Sequence, residues 1–145
     1  MALPHPVPGL VIRYSYLWRA EHLKGREEGV KDRPCAIVLV TEEREGDLIV
    51  TVLPVTHSPP ADSASAMEIP AETKRRLGLD SERSWIVMNE ANQFVWPGPD
   101  LRPAVSGAPE SVAYGLLPQL FFEKLRDRLV AILKARQSDI VRRSD

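Results

Sequence analysis

Polar residues with useful chemistry lie where the predicted strands of this chain meet loops. They are Arg33, Thr56, His57, Glu90 and Asn92. A guanidinium group binds anionic oxygens through paired donors, and an imidazole exchanges protons near neutral pH. Antiparallel strands reverse direction, so one edge of a hairpin can hold both Arg33 and Thr56. We therefore treat this set as a candidate ligand site at the edge of a sheet.

Each of these residues also suits a structural role. Arg33 would pair with Glu28 or Asp32, Thr56 would cap a turn, and the histidine after it would begin a loop. Glu90 would be a solvated turn residue. Spacing alone leaves both interpretations open for these residues.

Other kinds of site have little support in the sequence. The three histidines, His5, His22 and His57, show no paired spacing and lie in no motif with a carboxylate at ligand spacing, so we expect no metal site. No GxGxxG, Walker or G-x-S-x-G pattern occurs, which argues against a nucleotide-binding α/β fold and a serine-hydrolase elbow. Cys35 stands inside an apolar run and is expected to be a small buried hydrophobe. We predict no cofactor.

The composition indicates one ordinary globular domain over residues 1–145. The chain is 43% hydrophobic and 27% charged, and its net charge of −1 lacks the electrostatic footprint of a non-specific nucleic-acid binder. A single cysteine excludes an intrachain disulfide framework. Residues 1–8 form an extended, proline-broken arm that does not fit a signal peptide, and no window is apolar enough to span a membrane. We therefore expect a cytoplasmic protein with no membrane partner.

Two patterns in the first half of the chain predict strands. Residues 10–18 alternate with period 2, which predicts a half-buried strand whose aromatic side chains face inward. Pro34 suits the first residue of a strand that runs to about Thr41, and residues 48–56 return after a Glu-Gly-Asp turn. The charged stretch 19–32 is expected to be a loop that leads into this hairpin.

The middle of the chain combines a loop, a short strand and a short helix. Residues 57–66 have loop composition, and a short strand follows at 67–69. Pro70 begins a helix that ends before Gly78, a residue type that accepts the left-handed conformation past a helix end. Lys74 and the two arginines after it complement the helix dipole, so we expect them to be solvated.

The last part of the chain is predicted to hold two short strands, a long loop and a helix. The strands span 85–89 and 94–96 around a polar stretch. The proline-rich loop 97–110 is a candidate lid or contact surface. From Pro118, apolar residues recur at helical spacing, which predicts an amphipathic helix, and residues 138–145 are expected to be a frayed tail.

These elements predict a mainly β chain of the α+β class. Several short strands, one short helix and a C-terminal amphipathic helix favour a small, strongly curled antiparallel sheet. An SH3-like barrel is the simplest way to close such a sheet.

Three segments of the chain carry the motifs of one known family. Residues 28–34 read E-x-x-K-x-R-P, and residues 52–58 fit V-x-P-[VI]-T with His and Ser after it. Residues 87–90 fall at a strand that ends in an acidic residue. Together these segments resemble the PemK/MazF family of plasmid-maintenance and toxin–antitoxin growth inhibitors, over about residues 8–135.

The resemblance implies a fold, an activity and partners. Proteins of this family are strongly curled β-barrels that form homodimers and cleave single-stranded RNA without a metal, and an antitoxin protein relieves their toxicity. The chain is accordingly expected to be the toxin of a type II toxin–antitoxin system. As an endoribonuclease it would cleave through a 2′,3′-cyclic phosphate.

The resemblance also implies roles for the residues of the candidate site. Arg33 and Thr56 match the family residues that face the scissile phosphate, and Glu90 matches an acidic position that would act as a base. His57 stands where many members have serine or threonine, and we expect its imidazole to transfer a proton. The expected RNA-binding residues are Lys31, which would steer the phosphate, with Glu28, Ser58 and Asn92.

Departures from the family pattern define the alternatives. Met88 and Gln93 stand where some members have arginine, and the loops at 57–66 and 97–110 are longer than in compact members. The main alternative is therefore a non-catalytic module of the same barrel fold that binds RNA or a protein partner. A third hypothesis is a regulator that acts through its dimer surface and long loops.

Overall fold

A computed structural model describes residues 3–20, 32–105, 107–135 and 139–143. These residues contain eight strands, two α-helices and a single turn of 3-10 helix at Ser63–Ser65. The strands are β1 (Leu10–Tyr14), β2 (Arg33–Glu42), β3 (Leu48–Thr56), β4 (Ala66–Glu68), β5 (Trp85–Val87), β6 (Glu90–Val95), β7 (Ala113–Leu116) and β8 (Asp139–Arg142). The helices are α1 (Ala71–Arg76) and α2 (Gln119–Lys134). The predicted mainly β composition with two helices is confirmed.

All eight strands belong to one sheet that branches at β3. The main path runs β4-β5-β3-β2-β1-β7, and β6 pairs with both β3 and β8. Every ladder is antiparallel except the one between β6 and β8. No ladder among the described residues closes the sheet, so the predicted SH3-like barrel is not confirmed.

The predicted central hairpin is confirmed as β2 and β3. Cys35 lies opposite Pro54, and the register shifts between Ile37 and Leu39. The turn contains Gly46 at a φ of 85°, a left-handed conformation that glycine adopts at little steric cost. The prediction of a buried Cys35 is also confirmed, and burial raises the pKa of its thiol.

The central strands bury both of their faces. Along β2, Ala36 and Val38 join one apolar cluster while Cys35 and Ile37 join another. The first cluster is covered by α2, through Leu125, Leu129 and Ile132, and the second is filled largely by aromatic and branched side chains of β1, β3 and β6. A ring contact at 4.6 Å between Tyr14 and Phe94 bridges β1 and β6, although β2 and β3 lie between them in the sheet order.

The predicted half-buried first strand needs a correction. The strand ends at Tyr14, not at residue 18, and Val11, Ser15 and Leu17 on the supposed outer face are buried. Val11 is buried because the sheet face it occupies belongs to the cluster that α2 covers. Period-2 alternation cannot reveal a helix that packs on the second face.

The helix predictions agree with the structure except at one residue. α2 follows Pro118 and buries the predicted stripe, and Gly78 takes a φ of 71° just beyond α1. Lys74, however, is 4% exposed, so the expectation of a solvated cation is wrong. Its helical spacing places it near Leu77, three residues later, on the face of α1 that packs inward.

Two further predictions are corrected at the later strands. The polar stretch from Glu90 to Gln93 was expected between strands, but it forms most of β6, which pairs with β3. The tail was expected to fray, but Asp139–Arg142 form β8 beside β6, and Arg143 is buried against Asp100. Both errors arise because β6 offers two edges that only the folded sheet reveals.

The described part of the 97–110 loop is anchored along β1. Ser15 N donates to Asp100 O, Arg102 N donates to Arg13 O, and Tyr14 bridges to Leu101. Its predicted role as a lid or contact surface stays a prediction.

Within the described residues, neither helix is long and apolar enough to cross a membrane.

Candidate active site

A cavity of about 530 Å³ opens where β2 begins and β3 ends, beside the loop after β3. It is lined by Trp18, Arg33, Thr56, His57, Ser58, Pro60, Ala61, Asp62, Ser65, Ala66, Val87 and Asn89. Four residues that the sequence singled out, Arg33, Thr56, His57 and Ser58, therefore meet at one cavity. A second cavity of about 270 Å³ shares Asp62, Ser65 and Asn89 with it and reaches Ile132 of α2, so the two cavities adjoin.

The hairpin register brings Arg33 and Thr56 together. Cys35 lies across from Pro54, so two residues further along each antiparallel strand Arg33 is opposite Thr56. An Nη1 of Arg33 donates to Val55 O at 3.3 Å, which ties the guanidinium to the end of β3. The prediction that one hairpin edge holds both side chains is confirmed.

The guanidinium of Arg33 is held in place without being saturated. It lies 4.9 Å from the ring centroid of Trp18, a cation–π contact that supports its plane. Its Nε is buried and has no hydrogen-bond partner among the described residues. Asp32 pairs instead with Arg13 and Arg102, so the predicted alternative of an Arg33–Asp32 pair is not observed. Arg33 therefore keeps donor capacity for a ligand.

Thr56 has a structural contact at the same place. Its Oγ1 accepts a hydrogen bond from Ser58 N at 3.2 Å, the local turn that the sequence left open as an alternative. The hydroxyl hydrogen of Thr56 is still available as a donor, because that contact uses only an oxygen lone pair. Thr56 can therefore shape the loop and face a ligand together.

His57 is paired with an acidic residue that the sequence did not single out. Its Nε2 lies 2.8 Å from Asp80 Oδ2 and 3.6 Å from Glu82 Oε2, and its side chain is 50% exposed. Only the contact with Asp80 is at hydrogen-bond distance. The Nδ1 atom has no hydrogen-bond partner in the described part of the chain. The arrangement is a carboxylate–histidine pair at the rim of the cavity.

Asp80 is itself held by the buried Lys74. The ammonium of Lys74 lies 2.7 Å from Asp80 Oδ1 and 2.7 Å from Ser84 Oγ, and it also donates to Glu82 O. The hydrogen bond from Lys74, followed by that from His57, holds the pKa of the Asp80 carboxyl below its ordinary value. The sequence contained one signal for the burial of Lys74, namely its three-residue spacing from Leu77 on the helix face that packs inward.

The cluster of His57, Asp80 and Glu82 is compact enough to consider as a cation site. One ligand atom of each lies within 4.8 Å of the others. However, the Lys74 ammonium already supplies positive charge at Asp80 Oδ1. The donor set therefore fits an ion-paired cluster better than a metal centre.

Glu90 lies outside the cavity lining. Its Oε1 accepts hydrogen bonds from Tyr16 Oη at 3.1 Å and from Arg19 N at 3.0 Å. Burial, and then the neighbouring Glu90 charge, raise the pKa of Tyr16. Tyr16 packs edge-on against Trp18 at 5.2 Å, so the Tyr16 and Trp18 rings lie between Glu90 and Arg33. Its predicted role as a base stays a prediction.

The expected RNA-binding residues have different outcomes. Ser58 lines the cavity. Asn92 is 0% exposed, and its side-chain amide accepts a hydrogen bond from Leu17 N and donates one to Leu17 O. This burial gives no support to an RNA contact by Asn92. Lys31 and Glu28 lie outside the described residues.

The cavity brings together groups suited to an anionic ligand. Arg33 offers an unused donor, Thr56 offers a hydroxyl, and His57 offers a ring nitrogen for proton transfer.

Comparisons with protein-family models, with curated proteins and with solved structures found no match for this chain.

Proposed function

We propose that this protein is a metal-independent endoribonuclease that cleaves single-stranded RNA, the toxin of a type II toxin–antitoxin system. The observation that carries the proposal is the meeting of Arg33, Thr56 and His57 at one cavity, with the buried Nε of Arg33 unpartnered among the described residues. A buried donor without a partner is costly, and an anionic oxygen would satisfy it. The second, adjoining cavity leaves room for a neighbouring nucleotide of the strand.

The proposed reaction is an internal transesterification of RNA. A ribose 2′-hydroxyl gives its proton to His57, and the 2′-oxygen attacks the adjacent phosphorus. The new P–O2′ bond forms as the P–O5′ bond breaks, and the leaving 5′-oxygen takes a proton from water, while His57 afterwards releases its proton to water. The products are a 2′,3′-cyclic phosphate and a 5′-hydroxyl, so no co-reactant is consumed. Arg33 and Thr56 stabilise the negative charge that develops on the phosphate.

The proposal extends to the assembly that the family resemblance implies. The toxin would act in the cytoplasm as a homodimer and would be neutralised by an antitoxin protein. Its sheet would be a variant of the SH3-like barrel. Contacts across the sheet support that part of the proposal. They are the Tyr14–Phe94 ring contact between β1 and β6, and the two hydrogen bonds between Asn92 of β6 and the backbone of Leu17, in which Leu17 N donates to Asn92 Oδ1 and Asn92 Nδ2 donates to Leu17 O.

The test is RNA cleavage with a chelator present. Purified wild type should cut a diverse pool of single-stranded RNA and leave 2′,3′-cyclic phosphate ends that mass spectrometry detects. Arg33→Ala should lower kcat/KM about 10²- to 10³-fold because a fixed donor to the developing charge is lost. Thr56→Ala should also lower it. Arg83→Ala is the matched control, since Arg83 is exposed and does not line the cavity.

A non-catalytic binding module is the second candidate. The observation in its favour is Glu90, whose acidic group is bound to Tyr16 and Arg19 and lies outside the cavity lining. If wild type cuts no better than Arg33→Ala, the catalytic proposal is rejected. RNA binding without cleavage, weakened by Arg33→Ala, would then favour the module.

A further inference from the structure

Asp80, the acidic partner of His57, is a residue of the site that no sequence motif predicted. We infer that Asp80 is a positioning residue that orients His57, so that Nε2 carries the ring proton and Nδ1 is the atom that takes the proton from the substrate. This inference deepens the proposed function and rests on it. It names which ring nitrogen reacts and which residues hold it.

The contact distances determine which nitrogen faces the carboxylate. His57 Nε2 is 2.8 Å from Asp80 Oδ2, whereas Glu82 Oε2 is 3.6 Å away. An ionised carboxylate only accepts hydrogen bonds, so the shared hydrogen belongs to Nε2. A neutral imidazole carries a single N–H, and the lone pair is therefore on Nδ1. Nδ1 is the atom left to accept a proton.

Asp80 is a suitable support because it is anchored at both oxygens. Its Oδ1 accepts from Lys74 Nζ at 2.7 Å and from Glu82 N at 3.1 Å, while Oδ2 faces His57. Lys74 is buried on α1 and is held in turn by Ser84 Oγ at 2.7 Å. The Asp80 carboxylate cannot rotate without losing its charge-assisted hydrogen bond from Lys74. The orientation of His57 therefore depends, through Asp80 and Lys74, on the packed helix α1.

The charges around His57 are consistent with this role. Asp80 contacts the ring and Glu82 lies just beyond hydrogen-bond distance, with Lys74 behind Asp80 and Arg33 across the cavity. When Nδ1 takes a proton the ring becomes a cation, and the adjacent Asp80 carboxylate stabilises it. Lys74 keeps Asp80 ionised, so that its oxygens accept and do not donate.

A double-mutant cycle tests the coupling between the two residues. His57→Gln should lower kcat about 10²-fold because proton transfer is lost. Asp80→Asn should lower kcat about 10-fold or more with little change in KM, since the ring loses its orientation. The double variant should be no slower than His57→Gln alone, because Asp80 acts only through the ring. Glu82→Gln, which alters a carboxylate beyond hydrogen-bond distance, is the control and should retain wild-type kcat.

Multiplicative losses in the double variant would overturn the inference. They would mean that Asp80 affects cleavage independently of His57. A purely structural defect of Asp80→Asn would give this multiplicative result, so the cycle separates positioning from folding.

A spectroscopic readout tests the pairing without relying on cleavage. In the 145-residue chain with ¹⁵N-labelled histidine, the Nε2–H proton of His57 should be shifted downfield in spectra recorded at low temperature, where exchange with water is slow. Loss of the signal in His57→Gln assigns it among the three histidines. The signal should disappear in Asp80→Asn and remain in Glu82→Gln.

The two readouts keep this inference distinct from the proposed function. If wild type cleaves no RNA, the proposed reaction fails, while an Asp80-dependent Nε2–H signal would still support the pairing. If wild type cleaves RNA but the signal is absent or does not depend on Asp80, the positioning role is overturned and the nuclease proposal stands.

Discussion

Two arginines at strand ends, Arg33 and Arg143, show how similar contacts serve different purposes. Each lies over an aromatic ring, Arg33 at 4.9 Å from the centroid of Trp18 and Arg143 at 5.5 Å from that of Tyr14. Arg143 is 6% exposed and donates hydrogen bonds to Tyr14 Oη, Ser15 O, Asn92 Oδ1 and Asp100 Oδ2. Among the described residues, Arg33 makes one hydrogen bond, to Val55 O, and its buried Nε has no partner there.

The difference separates a structural cation from a candidate ligand-binding cation. A buried charge is tolerated when its donors are matched by acceptors, and Arg143 meets that condition with a carboxylate at 3.0 Å. Its contacts join β1, β6 and the 97–110 loop to the end of β8. Arg33 is supported by a ring but keeps unused donors beside a cavity, which is the state expected of a group that binds an anion.

The strongest way to break this comparison is to remove each arginine and measure stability. Arg143→Met should lower the free energy of unfolding by about 3–5 kcal/mol because the buried Asp100 carboxylate loses its ion pair with Arg143 at 3.0 Å. Arg33→Met should cost about 1 kcal/mol, since it removes one hydrogen bond at the edge of the fold. Urea unfolding followed by circular dichroism gives both values. Equal losses would contradict the assignment of Arg143 to structure and Arg33 to the ligand site.

Removing the ring under Arg33 should sharpen the comparison with a smaller effect. Trp18→Ala removes the cation–π support, worth roughly 0.5–2 kcal/mol, so kcat/KM for RNA should fall about 2- to 30-fold. Trp18→Phe keeps an aromatic face and should retain most of the activity. The measurement is initial cleavage rate at low RNA concentration. Equal rates for wild type and Trp18→Ala would show that the ring does not support Arg33 in the reaction.

The smallest expected effect concerns the exposed Asp80, in contrast with the buried Asp100. The pKa of folded Asp80 lies below its ordinary value, chiefly because Lys74 donates to it. As pH falls, the Asp80 carboxyl is therefore protonated in the unfolded chain before it is protonated in the folded protein. The stabilisation that its charge provides at neutral pH is lost as pH falls through the folded pKa. Asp80→Asn should lower Tm at pH 7, and its gap from wild type should close below about pH 4.

Thermal unfolding of both proteins from pH 7 to pH 3 measures that gap. A gap of constant size would show that Asp80 contributes through packing and not through its charge.

Much of the fold followed from local patterns. The β2–β3 hairpin, its turn at Gly46 and the stripe of α2 were predicted because strand alternation, turn chemistry and helical spacing are properties of neighbouring residues. The tail and the middle of β6 were missed because their pairing depends on a sheet edge formed by distant parts of the chain. Closure of the sheet into the predicted barrel is not confirmed.

The candidate site was predictable in part. Arg33, Thr56, His57 and Ser58 meet at one cavity because hairpin register links positions that the sequence places at strand ends. Asp80 was missed because it lies in a loop 23 residues beyond His57 with no motif around it. Asn92 was expected at the site because a polar residue in a short polar segment is usually exposed. In the structure Asn92 is buried, and its side-chain amide forms hydrogen bonds with the backbone of Leu17.

The sequence by itself determined the mainly β class, the central hairpin, the C-terminal helix and the burial of Cys35, since each depends on side chains a few positions apart. Only the tertiary structure decided which charged groups are partnered. Arg143 is buried because its partners come from other elements, as with Asp100, which is 43 residues away. For Lys74, local spacing indicates an inward helix face, but it does not identify the acceptors, which only packing of the loop after α1 brings to the ammonium.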